Sequence, residues 1–201
     1  SVTPSLLDKV HMNIKAGHGS FALFEIGKSH FKGEFDAADQ NVPNEDTHVG
    51  CVVAALDKLS PEGALYYLAK RYLEKIVDPT LYSLQKLADF NLTSDEWGAQ
   101  LTAPYDPNRS AVLVRDGQIW GVVGEFKQSV QRAFKLPTSS AGFEVHIELA
   151  THKRAAYAPL SRFPSVSQDV SLRVAPTVPY GELFSTAQAA LAQLESRELR
   201  L

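Results

Sequence analysis

The sequence predicts an α+β protein: an antiparallel sheet with helices packed on it, followed by a short second stretch with a strand, a helix and the start of another strand. Three observations carry this. Runs of branched and aromatic residues are separated by polar, turn-forming segments. Asp116-Gly117 stands between two such runs as a tight-hairpin signal. Other segments place apolar residues at helical spacing, which suits helices lying on a sheet.

Taken in order, the first element is a helix from Thr3 to Ala16. Thr3 is its expected N-cap, Pro4 its first helical residue, Leu6, Leu7, Val10 and Ile14 its apolar side, and Gly17 its stop. Phe21 to Gly27 and Val49 to Ala55 read as neighbouring strands of one sheet, with a polar, Asp-rich loop between them. Ser60-Pro61-Glu62 opens the next helix, where Leu65, Leu68, Tyr72 and Ile76 form a stripe and Lys70, Arg71, Glu74 and Lys75 hold the other faces. A shorter helix is expected near Pro79, carrying Leu81, Leu84 and Leu87, before Asn91 to Asp106 loosens into turns. Ser110 to Arg115 and Gln118 to Phe126 form the hairpin around Asp116-Gly117, and Lys127 to Phe134 reads as helix. Gly142 to Leu149 alternates Phe143, Val145, Ile147 and Leu149 with Glu144, His146 and Glu148, as a half-buried strand would. From Tyr157 a Pro-punctuated lead-in precedes a strand at Val166 to Val174, a helix at Pro179 to Glu195 and the run Leu199 to Leu201.

Composition narrows the class. With 44% apolar and 21% charged residues in 201, packing alone can stabilise the chain. The single cysteine, Cys51, lies in an apolar run, where a small buried side chain is the plain reading and an internal disulfide is excluded. That favours a reducing, cytoplasmic setting. No stretch approaches the roughly 20 consecutive apolar residues of a membrane helix, and the first residues lack the layout of a signal peptide. Residues 1–149 hold 14 Lys+Arg against 19 Asp+Glu, and residues 150–201 hold 6 against 4, so an acidic body precedes a mildly basic tail. That tail is compatible with RNA contact but far from a basic patch.

Several separate runs, in order, resemble bacterial phenylalanyl-tRNA synthetase beta subunits. Thr3-Pro4-Ser5-Leu6-Leu7-Asp8-Lys9-Val10 and Ala22-Leu23-Phe24-Glu25-Ile26-Gly27-Lys28 look like the helix and central strand of that family's class II-like core. Tyr105-Asp106-Pro107-Asn108-Arg109-Ser110-Ala111 is similar to its HPGRSA segment, with Asp106 and Asn108 in place of His and Gly. Gly121-Val122-Val123-Gly124-Glu125-Phe126 is similar to its GxxGE strand. Ser161-Arg162-Phe163-Pro164-Ser165-Val166-Ser167-Gln168-Asp169-Val170 looks like the entry to its ferredoxin-fold anticodon-binding domain, with Gln168 where a basic residue usually stands. The resemblance implies a non-catalytic class II synthetase-like core over residues 1–155 and the N-terminal half of a ferredoxin-fold domain over 156–201. The family's beta subunit is much longer, so the chain is expected to be a piece of one.

The sequence names no nucleophile and base. Active class II synthetases place arginines on the strand corresponding to Phe21 to Lys28 and after a Gly-rich strand, to meet charge developing on ATP and Mg²⁺. The first strand here contains no Arg, and Gly121 to Phe126 runs into Lys127-Gln128-Ser129-Val130-Gln131-Arg132. Arg109 and Arg132 read as a loop ion pair and a solvated helix face. Gly27-Lys28-Ser29 resembles the end of a phosphate-binding loop, but Ala22 stands where that motif needs glycine. His11, His18, His30 and His48 lack ligand spacing, so no metal is expected. Glu25, Glu125 and Glu144 lie in strands, where pairing to backbone or basic neighbours is the plain reading.

No catalytic residue and no bound cofactor are therefore expected in this piece, with ATP and Mg²⁺ belonging to the intact enzyme. The resemblance implies a scaffold that binds the alpha subunit, within a heterotetramer that charges tRNA(Phe) with phenylalanine. Phe31, Tyr66 and Tyr67 are candidate interface anchors, and Lys153, Arg154, Arg162 and Arg173 candidate tRNA contacts. Two alternatives stand beside this: a self-contained ATP-dependent ligase, and an RNA-binding module. The free edge of the strand at Val166 to Val174 would also allow the fragment to form a homodimer.

Overall fold

In the computed structural model the described residues are 1–36, 39–56, 64–92, 97–150, 164 and 169–198, with only the backbone at 31–34 and 194–198. The chain divides into two compact units, Ser1–Ala155 and Ala156–Leu201.

The first unit is a six-stranded antiparallel sheet with helices on both faces. In chain order its elements are α1 (Thr3–Lys15), β1 (Ser20–Phe35), β2 (Pro43–Ala55), α2 (Leu65–Ile76), β3 (Ser83–Lys86), α3 (Trp97–Thr102), β4 (Tyr105–Arg115), β5 (Gln118–Phe126), α4 (Gln128–Phe134) and β6 (Ser139–His146). The strands lie in the order β1-β2-β6-β5-β4-β3. The predicted neighbours Phe21 to Gly27 and Val49 to Ala55 do pair, but their ladder continues to His30 opposite Glu45, so much of the expected Asp-rich loop is strand. Asp116 (φ 52°) and Gly117 (φ 75°) both take the left-handed region that a two-residue hairpin needs, which closes β4 onto β5 as predicted.

α2 covers one face. Leu65, Ala69, Leu73 and Val77 pack on Cys51, Val53, Val123, Phe143 and Val145. Tyr72, expected in that stripe, is 40% exposed; the stripe runs through Ala69 and Leu73 instead. The expected start at Ser60-Pro61-Glu62 lies outside the described residues. On the other face Leu6, Leu7 and Val10 of α1 meet Val52, Ala54, Val112 and Val122, with Leu101, Tyr105 and Phe126 completing the layer.

Four expectations are corrected. No helix forms near Pro79: Pro79–Leu81 is a single 3-10 turn, Ser83–Lys86 is β3, and Leu87–Asp89 is another turn. The spacing of Leu81, Leu84 and Leu87 allowed a helix, but pairing with the outer edge of β4, from Ser83 opposite Val114 to Lys86 opposite Ala111, satisfies the backbone better. Asn91 to Asp106 is not turns alone, since α3 and the start of β4 lie in it. The strand at Gly142 ends at His146, and with helices over both faces it is buried from Ser140 to Val145, Glu144 included, where half-burial was expected. Thr3 does not cap α1: Val2 takes the N-cap position and Thr3 is the first helical residue. The C-terminal end follows expectation, because Gly17 (φ 95°) lets the Gly17 N–H reach the Ile14 carbonyl and the His18 N–H reach Asn13.

Within the second unit the helix expected at Pro179 to Glu195 is α5 (Tyr180–Glu198), with Tyr180 stacked on Phe184. The strand expected at Val166 to Val174 is not formed over residues 169–174, which are irregular and exposed; residues 165–168 lie outside the described set. Over residues 169–174 there is therefore no strand edge of the kind expected to pair in a homodimer. Leu199 to Leu201 also lies outside the described residues.

Candidate functional site

Glu144 and His48, two buried ionisable residues of the sheet, lie on the face that carries α1. Glu144, in the middle of β6, is fully buried and aims at the N-terminus of α1. Its carboxylate accepts the backbone N–H of Val2 at 3.0 Å and of Thr3 at 2.9 Å, the Thr3 hydroxyl at 2.6 Å and the Ser1 hydroxyl at 2.8 Å. A distant strand thus performs the capping that Thr3 was expected to supply locally, and sets a negative charge at the positive end of the helix. His48 Nδ1 lies 3.1 Å from Glu144 Oε1, but off the direction of a good hydrogen bond, so the contact is close electrostatically and poor in geometry. Burial opposes the charge on Glu144, yet His48, Thr3 and Ser1 together outweigh it and hold the carboxyl down at about 2. Since Thr3 gives its hydroxyl proton to Glu144, the buried Tyr105 hydroxyl donates to Thr3 Oγ1 at 3.4 Å. Burial and then the Glu144 charge push that phenol well above its usual range, so it stays a donor.

Close approach is built in by glycine. A Cβ at Gly50 would stand 2.6 Å from Val2 Cγ2, and one at Gly27 2.8 Å from Val2 Cγ1, so these two positions let the start of α1 rest on the sheet.

Beside this network the same region opens into a cleft of about 650 Å³. Phe90, Trp97, Ile119 and Trp120 form much of its wall, and Asp46, Gln118 and His146 bring polar groups to it. His48 joins the two ends: its ring is 5.5 Å from Trp97 and 5.6 Å from His146, which meets Trp120 edge-on at 5.1 Å. His146 Nε2 is 3.5 Å from Asp46 Oδ1. The guanidinium of Arg115 lies 5.5 Å over the Trp120 ring and 3.5 Å from Asp116. Sequence reasoning passed over this cleft because Trp97 sat in a stretch read as turns and Trp120 in a strand; only the joint presence of the chain's two tryptophans hinted at it.

The residues singled out from the sequence are scattered. Arg109 pairs with Glu125 on the exposed side of β4 and β5, and Arg132 is exposed on α4. Glu25 accepts the Ser5 hydroxyl, and Lys28 pairs with Glu45 in mid-ladder, so Gly27-Lys28-Ser29 is strand and no phosphate loop. Cys51 is buried and free, and burial pushes its thiol up to about 11. Tyr66 is half-buried against the core, Tyr67 is 62% exposed, and their rings meet at 5.4 Å. The side chain of Phe31 lies outside the described residues, as do Lys153, Arg154 and Arg162; Arg173 is exposed in an irregular segment. Sequence reasoning missed Phe24 and Ile26, which stand 76% and 61% exposed on the edge strand β1.

Fold and site together define an α+β domain with a ligand-sized cleft and, among the described residues, no assembled nucleophile and base. The chain belongs to the family of the phenylalanyl tRNA synthetase beta chain CLM domain, which residues 1–147 match. It is 24% identical to the phenylalanine–tRNA ligase beta subunit of Corynebacterium efficiens over 96% of this chain and 25% of that protein. To the beta subunit of Corynebacterium glutamicum it is 25% identical over the same shares, 96% and 25%. The chain thus spans about a quarter of the length of the curated relatives it matches. Among solved structures it is similar to pyrrolysyl-tRNA synthetase from Desulfitobacterium hafniense, with a TM-score of 0.44 and 12% identity over 74% of this chain and 46% of that one.

Proposed function

We propose that this chain is the non-catalytic, class II synthetase-like core of a phenylalanine–tRNA ligase beta subunit, followed by the opening half of a ferredoxin-fold anticodon-binding domain. It acts in the cytoplasm as a scaffold for the catalytic alpha subunit, within a heterotetramer that charges tRNA(Phe) with ATP and Mg²⁺. The observation that carries this reading, beside family membership, is how the sheet's polar groups are spent. Glu144 is consumed in closing α1, Arg109 in pairing with Glu125, and β1 and β2 contain no arginine to meet a phosphate. A domain built this way is left with surfaces. Phe24, Ile26 and Tyr67 are exposed apolar anchors of the kind an interface buries, with Phe31 and Tyr66 assigned to the same role. Lys153, Arg154, Arg162 and Arg173 are assigned to tRNA in the intact enzyme.

The test is size exclusion with light scattering, on the chain alone and mixed with the alpha subunit of the same organism. A stable mixed complex that is lost in Phe24→Asp is the expected result. A folded chain that ignores the alpha subunit yet binds ATP saturably would overturn the scaffold in favour of a self-contained ligase.

A further inference from the structure

The cleft beside β5 has properties that the scaffold role does not use. Its volume of about 650 Å³ lies within the roughly 300 to 1,000 Å³ of small-molecule sites. Its flat walls include Trp97, Trp120 and Phe90, and an indole face attracts a cation more strongly than any other side-chain ring. The two tryptophans are braced by the ring contacts of Trp97 with the fully buried His48 and of Trp120 with His146. Asp46 is the one acidic group among the described lining residues, which include neither Lys nor Arg. The one side-chain ion-pair or hydrogen-bond partner of its carboxylate among the described residues is His146, at the long distance of 3.5 Å, so most of the acceptor capacity is left over. Arg115 already lies over the Trp120 ring at 5.5 Å and pairs with Asp116, but it is not among the described lining residues, so the face of Trp120 that a ligand would use is the one Arg115 leaves free.

We propose that this cleft is a binding site for a planar aromatic cation, a ring bearing an ammonium or amidinium group. The ring lies against Trp97 and Trp120, and the charged N–H groups donate to Asp46, with the Gln118 amide available beside it. An anionic ring of the same shape meets Asp46 as a like charge and is refused. The inference does not depend on the scaffold reading, since every residue it uses lies in the first unit and no partner is required.

Trp97 and Trp120 are the chain's only two tryptophans, so its indole emission reports on the cleft. The experiment titrates the 201-residue chain with benzamidine and, separately, with benzoate, exciting at the red edge of the indole band where neither probe absorbs. Saturable quenching by benzamidine, silence from benzoate, and binding weakened by about tenfold or more in Asp46→Asn are the expected results. Absence of saturable change with benzamidine into the millimolar range, equal binding of benzoate, or undiminished binding to a folded Asp46→Asn chain would each overturn the proposal. Should Asp46→Asn fail to fold, the contrast between the two probes on the unaltered chain decides.

Discussion

Glu144 and Thr3 are 141 residues apart and share three contacts' worth of work: the Thr3 N–H at 2.9 Å, the Thr3 hydroxyl at 2.6 Å, and a charge placed at the head of α1. The pair fastens the first helix to the centre of the sheet, so stability of the whole unit should register any change there.

Glu144→Gln keeps the shape but removes the charge and turns one acceptor into a donor facing N–H groups. We expect a loss of about 2 to 4 kcal/mol, read as a lower midpoint in urea unfolding with an unchanged slope. Thr3→Val, which removes one donor to the carboxylate and leaves the buried Tyr105 hydroxyl without its acceptor, should cost about 1 to 3 kcal/mol.

The same carboxyl gives the fold an acid limit. It is held down from 4.5 to about 2 in the folded chain, so its contribution is fully present above pH 4.5 and is lost as pH falls towards 2. The full swing is on the order of 3 kcal/mol. Unfolding free energy measured from pH 5 downward should show this decline, and in Glu144→Gln that part of it should vanish.

Gly124, in the segment that resembles a GxxGE strand, faces the backbone of the neighbouring strand. A Cβ there would lie 2.7 Å from Ser110 Cα and 2.3 Å from Ser110 Cβ, and backbone cannot rotate away. Gly124→Ala should therefore destabilise by about 3 kcal/mol or more. At Gly17, where a Cβ meets nothing within 4 Å, Ala suffers only from the positive φ and should cost about 1 kcal/mol. Thermal melts of the two variants side by side check the difference.

Cys51 should be inert while the chain is folded. Its thiol is buried and pushed up to about 11, so little thiolate exists at neutral pH and none is accessible. Ellman's reagent should react slowly with native protein, at a rate that follows opening, and promptly in denaturant.

What was legible in the sequence was local. The Asp116-Gly117 hairpin needs only two residues with positive φ, α1 needs its apolar spacing and a glycine stop, and α2 declares itself through Leu65, Leu68 and Ile76, with Tyr72 misplaced in the stripe; each is decided within a few residues. What was missed depended on partners far along the chain. Leu81, Leu84 and Leu87 fit a helix until the open edge of β4 is known. Glu144 alternates with apolar neighbours as a solvent-facing residue would, and no local period reveals that a helix from the other end of the sequence covers it. The cleft was hidden for the same reason: Asp46, Trp97, Trp120 and His146 come from β2, α3, β5 and the end of β6, and no spacing in the sequence joins them.

Because α1 is closed by a residue of β6, the order of synthesis matters. The helix is made about 140 residues ahead of its cap and waits for it, on the order of ten seconds at ordinary elongation rates. Through that interval its first turn has bare N–H groups and its apolar side lacks the completed sheet, since β6 is the strand that joins β2 to β5. A nascent chain carrying this sequence therefore holds α1 unfinished through that interval, and whatever shelters the helix then, ribosome surface or chaperone, must let go only when Glu144 arrives.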